Sequence, residues 1–194
     1  MTELTSLCVY CGSSSEVSQR HKDAAAALGC AAAERGVQVV FGGGRVGLMG
    51  IVADAALAAG GSVIGIIPEH LQSAEMSHGG LTRLEIVDSM HVRKQRMCEL
   101  SDAFCSLPGG LGTLDETFEI ITWRQLGLHD KPIVVLNVAG FWDPLVALID
   151  HQREGGYIRR QHSRLFSVVD QVDQVFDVIA GADEPAILDH SAQF

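Results

Sequence analysis

Short apolar runs punctuate this chain, each followed by a polar or glycine-rich segment and then by a stretch whose apolar positions recur at helical spacing. The pattern predicts strands over 5–10, 37–41, 62–67, 83–87, 103–107, 133–137 and 165–169. It predicts helices over 13–36, 47–60, 89–100, 113–127, 141–154 and 172–180. The run Ala103-Phe104-Cys105-Ser106-Leu107 does not alternate apolar with polar as a half-solvated strand would, so both faces of the sheet are expected to be covered. Strands alternating with helices give βαβ units, hence a Rossmann-like, doubly wound parallel α/β sheet with helices on both faces. A single nucleotide-binding domain is expected over 1–182, with 183–194 as a tail, loose or docked on a partner subunit. Ligands of such sheets sit at the carboxyl ends of the strands, near the point where strand order reverses.

Three predicted strand ends carry turn-forming residues: Gly12-Ser13-Ser14-Ser15, Gly42-Gly43-Gly44 and Pro108-Gly109-Gly110. They are expected to form one crevice, with Ser13, Gly43 and Gly44 as phosphate or ribose contacts. The third is the most informative. Pro108 ends a strand, while Gly109, Gly110 and Gly112 let a ligand approach main-chain N–H groups. Thr113 then offers an N-cap, and Thr113-x-x-Glu116 has capping-box spacing. A glycine turn entering a helix N-terminus is a phosphate cradle. Ser13-x-x-Glu16 is a second capping-box candidate. Gly42-x-Gly44-x-x-Gly47, with Glu69 further on, matches the dinucleotide fingerprint literally. It follows the second predicted strand, however, and the chain is short for a separate substrate half, which favours phosphate or nucleotide contact in general over NAD(P).

Composition narrows the partners. With 47% hydrophobic and 20% charged residues the chain is globular. No apolar run is long enough to span a bilayer, and the start Met1-Thr2-Glu3-Leu4 lacks a basic segment ahead of an apolar one, which points to the cytoplasm. A net charge of −10 argues against nucleic acid and membrane surfaces as partners. It leaves room for a small phosphorylated ligand, which needs only local donors. The five cysteines form no disulfide framework, and Cys8-x-x-Cys11 ends a strand rather than opening a helix, so it reads as structural. His70 and His78 share a predicted loop with Glu69 and Glu75 but lack His-x-x-x-His spacing, so no metal is expected. Lys22, Lys94 and Lys131 lie in no recognisable Schiff-base context.

Met90, Arg93, Lys94 and Met97 recur at i, i+3, i+4 and i+7, one helical face. It reads either as packed methionines with cations reaching water, or as a face holding a planar base on Met90 and Met97 and an anion on Arg93 and Lys94. Glu116 likewise reads either as the N3 partner of the Thr113 cap or as a carboxylate facing a ribose, held ionised by Arg93.

These residues resemble a known family. Pro108-Gly-Gly-Leu-Gly-Thr-Leu-Asp-Glu116 is similar to the Pro-Gly-Gly-x-Gly-Thr-x-x-Glu signature of the Lonely Guy family, the cytokinin riboside 5′-monophosphate phosphoribohydrolases. Met90-His91-x-Arg93-Lys94-x-x-Met97, Gly42-Gly43-Gly44-x-x-Gly47-Leu48-Met49-Gly50 and Thr122-Trp123-x-Gln125-Leu126-Gly127-x-His129-x-Lys131-Pro132 match as well, in order, between about Leu7 and Ile158. Asp115 departs from the Glu of many relatives. The resemblance implies a homodimer that cleaves the N-glycosidic bond of AMP or N6-isopentenyl-AMP, releasing base and ribose 5-phosphate without a cofactor. Carried over, Arg93 and Glu116 match the catalytic pair, and Gly109, Gly110, Gly112 and Thr113 the phosphate turn. Members are often labelled lysine decarboxylases, a name this sequence does not support for want of a pyridoxal-phosphate context. Two other classes remain open: a nucleotide carrier or sensor without turnover, and an NAD-dependent oxidoreductase.

Overall fold

A computed structural model describes residues 4–72, 77–159, 162 and 164–182. Among these residues seven parallel strands form one sheet: β1 (Ser6–Tyr10), β2 (Gln38–Phe41), β3 (Val63–Pro68), β4 (Arg83–Val87), β5 (Ala103–Ser106), β6 (Ile133–Leu136) and β7 (Ser167–Val169). Their order across the sheet is β4-β3-β2-β1-β5-β6-β7. The chain begins in the middle, steps outward to β4, then crosses back to lay β5 against the free side of β1. The reversal therefore falls between β2 and β5, with β1 at its centre. Tails expected at 183–194 and the loop residue Glu75 lie outside the described residues.

Among the described residues six α-helices cover the sheet: α1 (Gln19–Glu34), α2 (Gly47–Ala58), α3 (Met90–Glu99), α4 (Leu111–Gln125), α5 (Asp143–Glu154) and α6 (Val172–Ala180). Leu7, Val9, Val39, Phe41, Cys105 and Val134 face one core, which Leu28 of α1, Val52 of α2 and Phe176 of α6 complete. Cys8, Tyr10, Val40, Ile66 and Phe104 face the other, closed by Met97 of α3 and Ile120 of α4. Adjacent residues thus serve opposite cores, which is why the central strands are apolar throughout. The same alternation separates Cys8 from Cys11. They point to opposite faces of the sheet, both thiols are pushed far up by burial, and neither is a redox partner for the other.

Two helix starts differ from expectation. Ser13-x-x-Glu16 does not cap α1, which begins at Gln19 after Ser18; residues 12–18 form an irregular loop instead, in which Ser14 Oγ accepts from Glu16 N–H at 3.2 Å. Thr113 is not the N-cap of α4. That helix starts after Gly110, so Thr113 is its third residue and Glu116 lies beyond the reach of a capping box. At the start of α3 the hydroxyl of Ser89 accepts from Val92 N–H at 3.2 Å.

Candidate active site

Backbone hydrogen bonds gather the three strand ends. Gly12 N–H donates to Pro108 O at 3.0 Å, Gly12 O accepts from Leu48 N–H at 2.9 Å, and Leu107 N–H donates to Tyr10 O at 2.9 Å. The loop after β1 is thus bonded both to the turn after β5 and to the start of α2. They share one edge of the sheet at the reversal point, as Rossmann-like architecture requires of a ligand crevice.

The turn after β5 is open. Gly110 and Gly112 are exposed, and a Cβ on either would meet nothing within 4 Å. Gly109 has a different duty, because a Cβ there would overlap the buried side chain of Thr113. No side chain caps α4. Leu114 N–H makes the first intrahelical bond, to Gly110 O at 3.0 Å. The N–H groups of Leu111, Gly112 and Thr113 precede it, three donors without intrahelical acceptors at the positive end of a 15-residue helix.

Behind this turn Glu116 meets Arg93. The Arg93 guanidinium donates from Nη1 to Glu116 Oε1 at 2.8 Å and from Nε to Ile66 O at 3.1 Å. Both side chains are only 10% exposed. Glu116 is therefore not spent on capping. Burial pushes its carboxyl above the usual range, and the charge and hydrogen bond of Arg93 pull back against that without cancelling it. Gly42 makes room for the pair, since a Cβ there would overlap the guanidinium. Leu111 lies about 7.5 Å along the helix axis from Glu116, and a helical side chain leans back toward the N-terminus. The carboxylate and the turn donors are thus spaced on the scale of a ribose 5-phosphate.

Other expected contacts are placed elsewhere. Lys94 faces α4 rather than the turn: its Nζ lies 3.0 Å from Asp115 Oδ2 and 3.0 Å from Glu119 Oε2. Burial lowers the ammonium's pKa, but the hydrogen bonds it donates to Glu119 and Asp115 outweigh that and leave the group above its ordinary value. Met97 is 0% exposed within the core and offers no surface to a base, whereas Met90 is half-buried at the start of α3. Gly43 and Gly44 are buried. Gly43 O accepts from His78 N–H at 2.9 Å and Gly44 pairs with Ser77, so this chain itself fills the turn expected to contact phosphate. That closure also removes the open pyrophosphate turn a dinucleotide reading needs. Ser13 is exposed, with its backbone against Gly47.

Sequence reasoning missed Gly42, Asp115 and Glu119 as parts of this arrangement. Only the i, i+4 spacing of Asp115 and Glu119 hinted that they share a partner. Among the described residues no group of three His, Cys, Asp or Glu could hold a metal ion, and no helix is long and apolar enough to cross a membrane.

A family model described as possible lysine decarboxylase matches residues 49–179. A probable cytokinin riboside 5′-monophosphate phosphoribohydrolase of Oryza sativa subsp. japonica is 47% identical over 153 residues, covering 79% of this chain and 69% of its own. The cytokinin riboside 5′-monophosphate phosphoribohydrolase of Rhodococcoides fascians is 46% identical over 154 residues, covering 79% and 78%. Among solved structures, a molybdenum cofactor binding protein from the phototrophic bacterium Rippkaea orientalis superposes with a TM-score of 0.70 over 93% of this chain and 98% of its own. At 19% identity it speaks for the fold alone.

Proposed function

The chain belongs to the family of cytokinin riboside 5′-monophosphate phosphoribohydrolases, and from that premise we propose that it hydrolyses the N-glycosidic bond of AMP bearing an N6 substituent. The observation that carries this reading is the buried Arg93–Glu116 pair standing behind an open helix N-terminus. In this reading the 5′-phosphate lies on the N–H groups of the Gly110–Thr113 turn, with Gly109 and Thr113 shaping it. The ribose then spans toward Glu116.

As the bond from C1′ to the base breaks, positive charge grows on the sugar and the Glu116 carboxylate stabilises it. A water oxygen adds to C1′. One of its protons passes to Glu116 and the other stays on the new anomeric hydroxyl; the base leaves with the electron pair of the broken bond and takes up the proton that Glu116 releases, so the carboxylate is restored. A carboxyl held above the ordinary range suits that exchange. Arg93 orients the carboxylate and favours its charged form. Met90 remains the candidate for contact with the base.

Lysine chemistry has less support. A Schiff base needs a neutral amine, yet Lys94 is held charged by two carboxylates and Lys131 Nζ donates to Cys98 O at 2.7 Å. One nucleotide-binding domain over 1–182, a cytoplasmic setting and a homodimer complete the proposal. Exposed Leu111, Phe118 and Leu126 along α4 support the last.

Incubation with AMP and N6-isopentenyl-AMP, with chromatography of the released base, tests the reaction. Folded protein that releases base from neither would refute it. A carrier or sensor predicts AMP binding equally tight in wild type and Glu116→Gln, with no base liberated by either.

A further inference from the structure

We infer that Ser106 and Thr117 are positioning residues for the phosphate turn, an inference that rests on reading 108–113 as that turn. Both hydroxyls are buried, Ser106 at 0% and Thr117 at 1% exposure, and they lie 2.7 Å apart. Thr117 Oγ1 also lies 2.7 Å from Thr113 O. A carbonyl only accepts, so the single hydroxyl proton of Thr117 goes to Thr113, and Ser106 must be the donor to Thr117. The result is a directed chain from the last residue of β5 to the third residue of α4, running beneath the turn that joins them.

The turn needs such a fixture because it packs so little of its own. Gly110 and Gly112 have open space where side chains would be. Above the tether, the turn is held by Gly12 N–H on Pro108 O and by the Thr113 side chain against Gly109. Neither of these links the helix barrel to the strand. The Ser106–Thr117 bond does. Thr117 also follows Glu116 directly, so any slip of α4 along its axis moves the phosphate donors and the carboxylate together. Valine and alanine would fill the same space without fixing that register.

Four variants separate positioning from mere stability. Thr117→Val cuts the tether and leaves the Ser106 hydroxyl buried without its acceptor, so the melting temperature falls. Ser106→Ala combined with Thr117→Val removes both hydroxyls and recovers most of that loss, because no donor is left stranded. Affinity for AMP by calorimetry, and kcat/KM for base release, stay roughly tenfold down in both, the scale of a modest misplacement, with KM carrying most of the change. Thr117→Ser restores them. Should Thr117→Val fold poorly, Ser106→Ala alone cuts the link to β5 without stranding a donor, and it loses AMP affinity in the same direction. Wild-type AMP affinity in the double variant and in Ser106→Ala would overturn the inference, as would Thr117→Ser behaving like Thr117→Val. A wild type that binds AMP but releases no base would remove the glycosidase reading and leave this one to the affinities.

Discussion

Two glycine-rich turns carry strands into helices at the same edge of the sheet, after β2 and after β5, and what fills them differs. Around the first, Ser77 and His78 lie on Gly44 and Gly43, and the backbone of Ser13 and Ser14 covers Gly47. Around the second, Gly110 and Gly112 are open. The contrast extends to the sixth residue of each helix. In α2 this is Val52, fully buried in the core; in α4 it is Glu116, bonded to Arg93. Glycine removes a side chain in both turns, and the vacated volume goes to the chain itself in one and stays accessible in the other. Only the second couples its helix N-terminus to a charged group that can do chemistry.

The largest expected effect comes from exchanging chemistry at those sixth positions. Glu116→Gln is expected to lower the rate of base release by about 10²–10³ with AMP affinity retained, since one well-placed electrostatic contact is worth that much. Val52→Ala is expected to cost about 2 kcal/mol of stability and leave kcat unchanged. Turnover and thermal melting of the two variants check this. A rate loss in Val52→Ala matching that of Glu116→Gln would erase the distinction between the turns.

Glycine substitutions probe the turns themselves. Gly43 sits at φ +75°, where an alanine is strained by about 1–2 kcal/mol, and its Cβ would crowd Ile67 at 3.3 Å. Gly43→Ala should therefore lower the melting temperature by a few degrees. Gly112→Ala meets open space within a helix, so the fold is kept. The added methyl instead occupies the volume assigned to phosphate, and AMP affinity is expected to fall roughly tenfold. Reversed outcomes, with Gly43 governing affinity and Gly112 stability, would reassign the two turns.

Lys94 gives a smaller test. Its ammonium ties α3 to α4 through Asp115 and Glu119, which are 61% and 25% exposed. Lys94→Met is expected to cost about 1 kcal/mol in thermal melting, after allowing for solvent screening. A loss of AMP affinity larger than that of Gly112→Ala would instead make Lys94 a phosphate ligand.

Elements were legible from the sequence because period and breakers agree: α6 runs from Val172 to Ala180 as its pattern indicates, and Ser89 caps α3. The start of α4 differs from its pattern because Thr113 is a good cap only in isolation. Its side chain is instead buried against Gly109, a contact that depends on how the turn folds back. Met97 and Arg93 share a helical face in the sequence, yet one fills the core and the other reaches Glu116 of the next helix. Helical spacing fixes direction around an axis, while the depth of a side chain is set by what packs opposite. The burial of Gly43 and Gly44 was illegible for the same reason, since Ser77 and His78 are more than thirty residues away.

Titration offers the most sensitive check on the open turn. Glu116 is held above the ordinary carboxylate range chiefly by burial, so if its ionised form receives the proton from water, kcat/KM should rise with pH through a midpoint above that range. Arg93 opposes the effect of burial. Arg93→Gln should therefore move the midpoint further up, while Arg93→Lys, which keeps the charge, moves it less. The linkage to stability has a definite sign. A carboxyl whose folded pKa is raised contributes stability that is fully present below its unfolded pKa and is lost as pH rises through the folded one. Wild type should consequently lose melting temperature relative to Glu116→Gln across that window and run parallel to it on either side. No corresponding slope is expected for Val52→Ala, which has no proton to exchange. A midpoint at or below the ordinary carboxylate value, unmoved by Arg93→Gln, would contradict the role given to the pair.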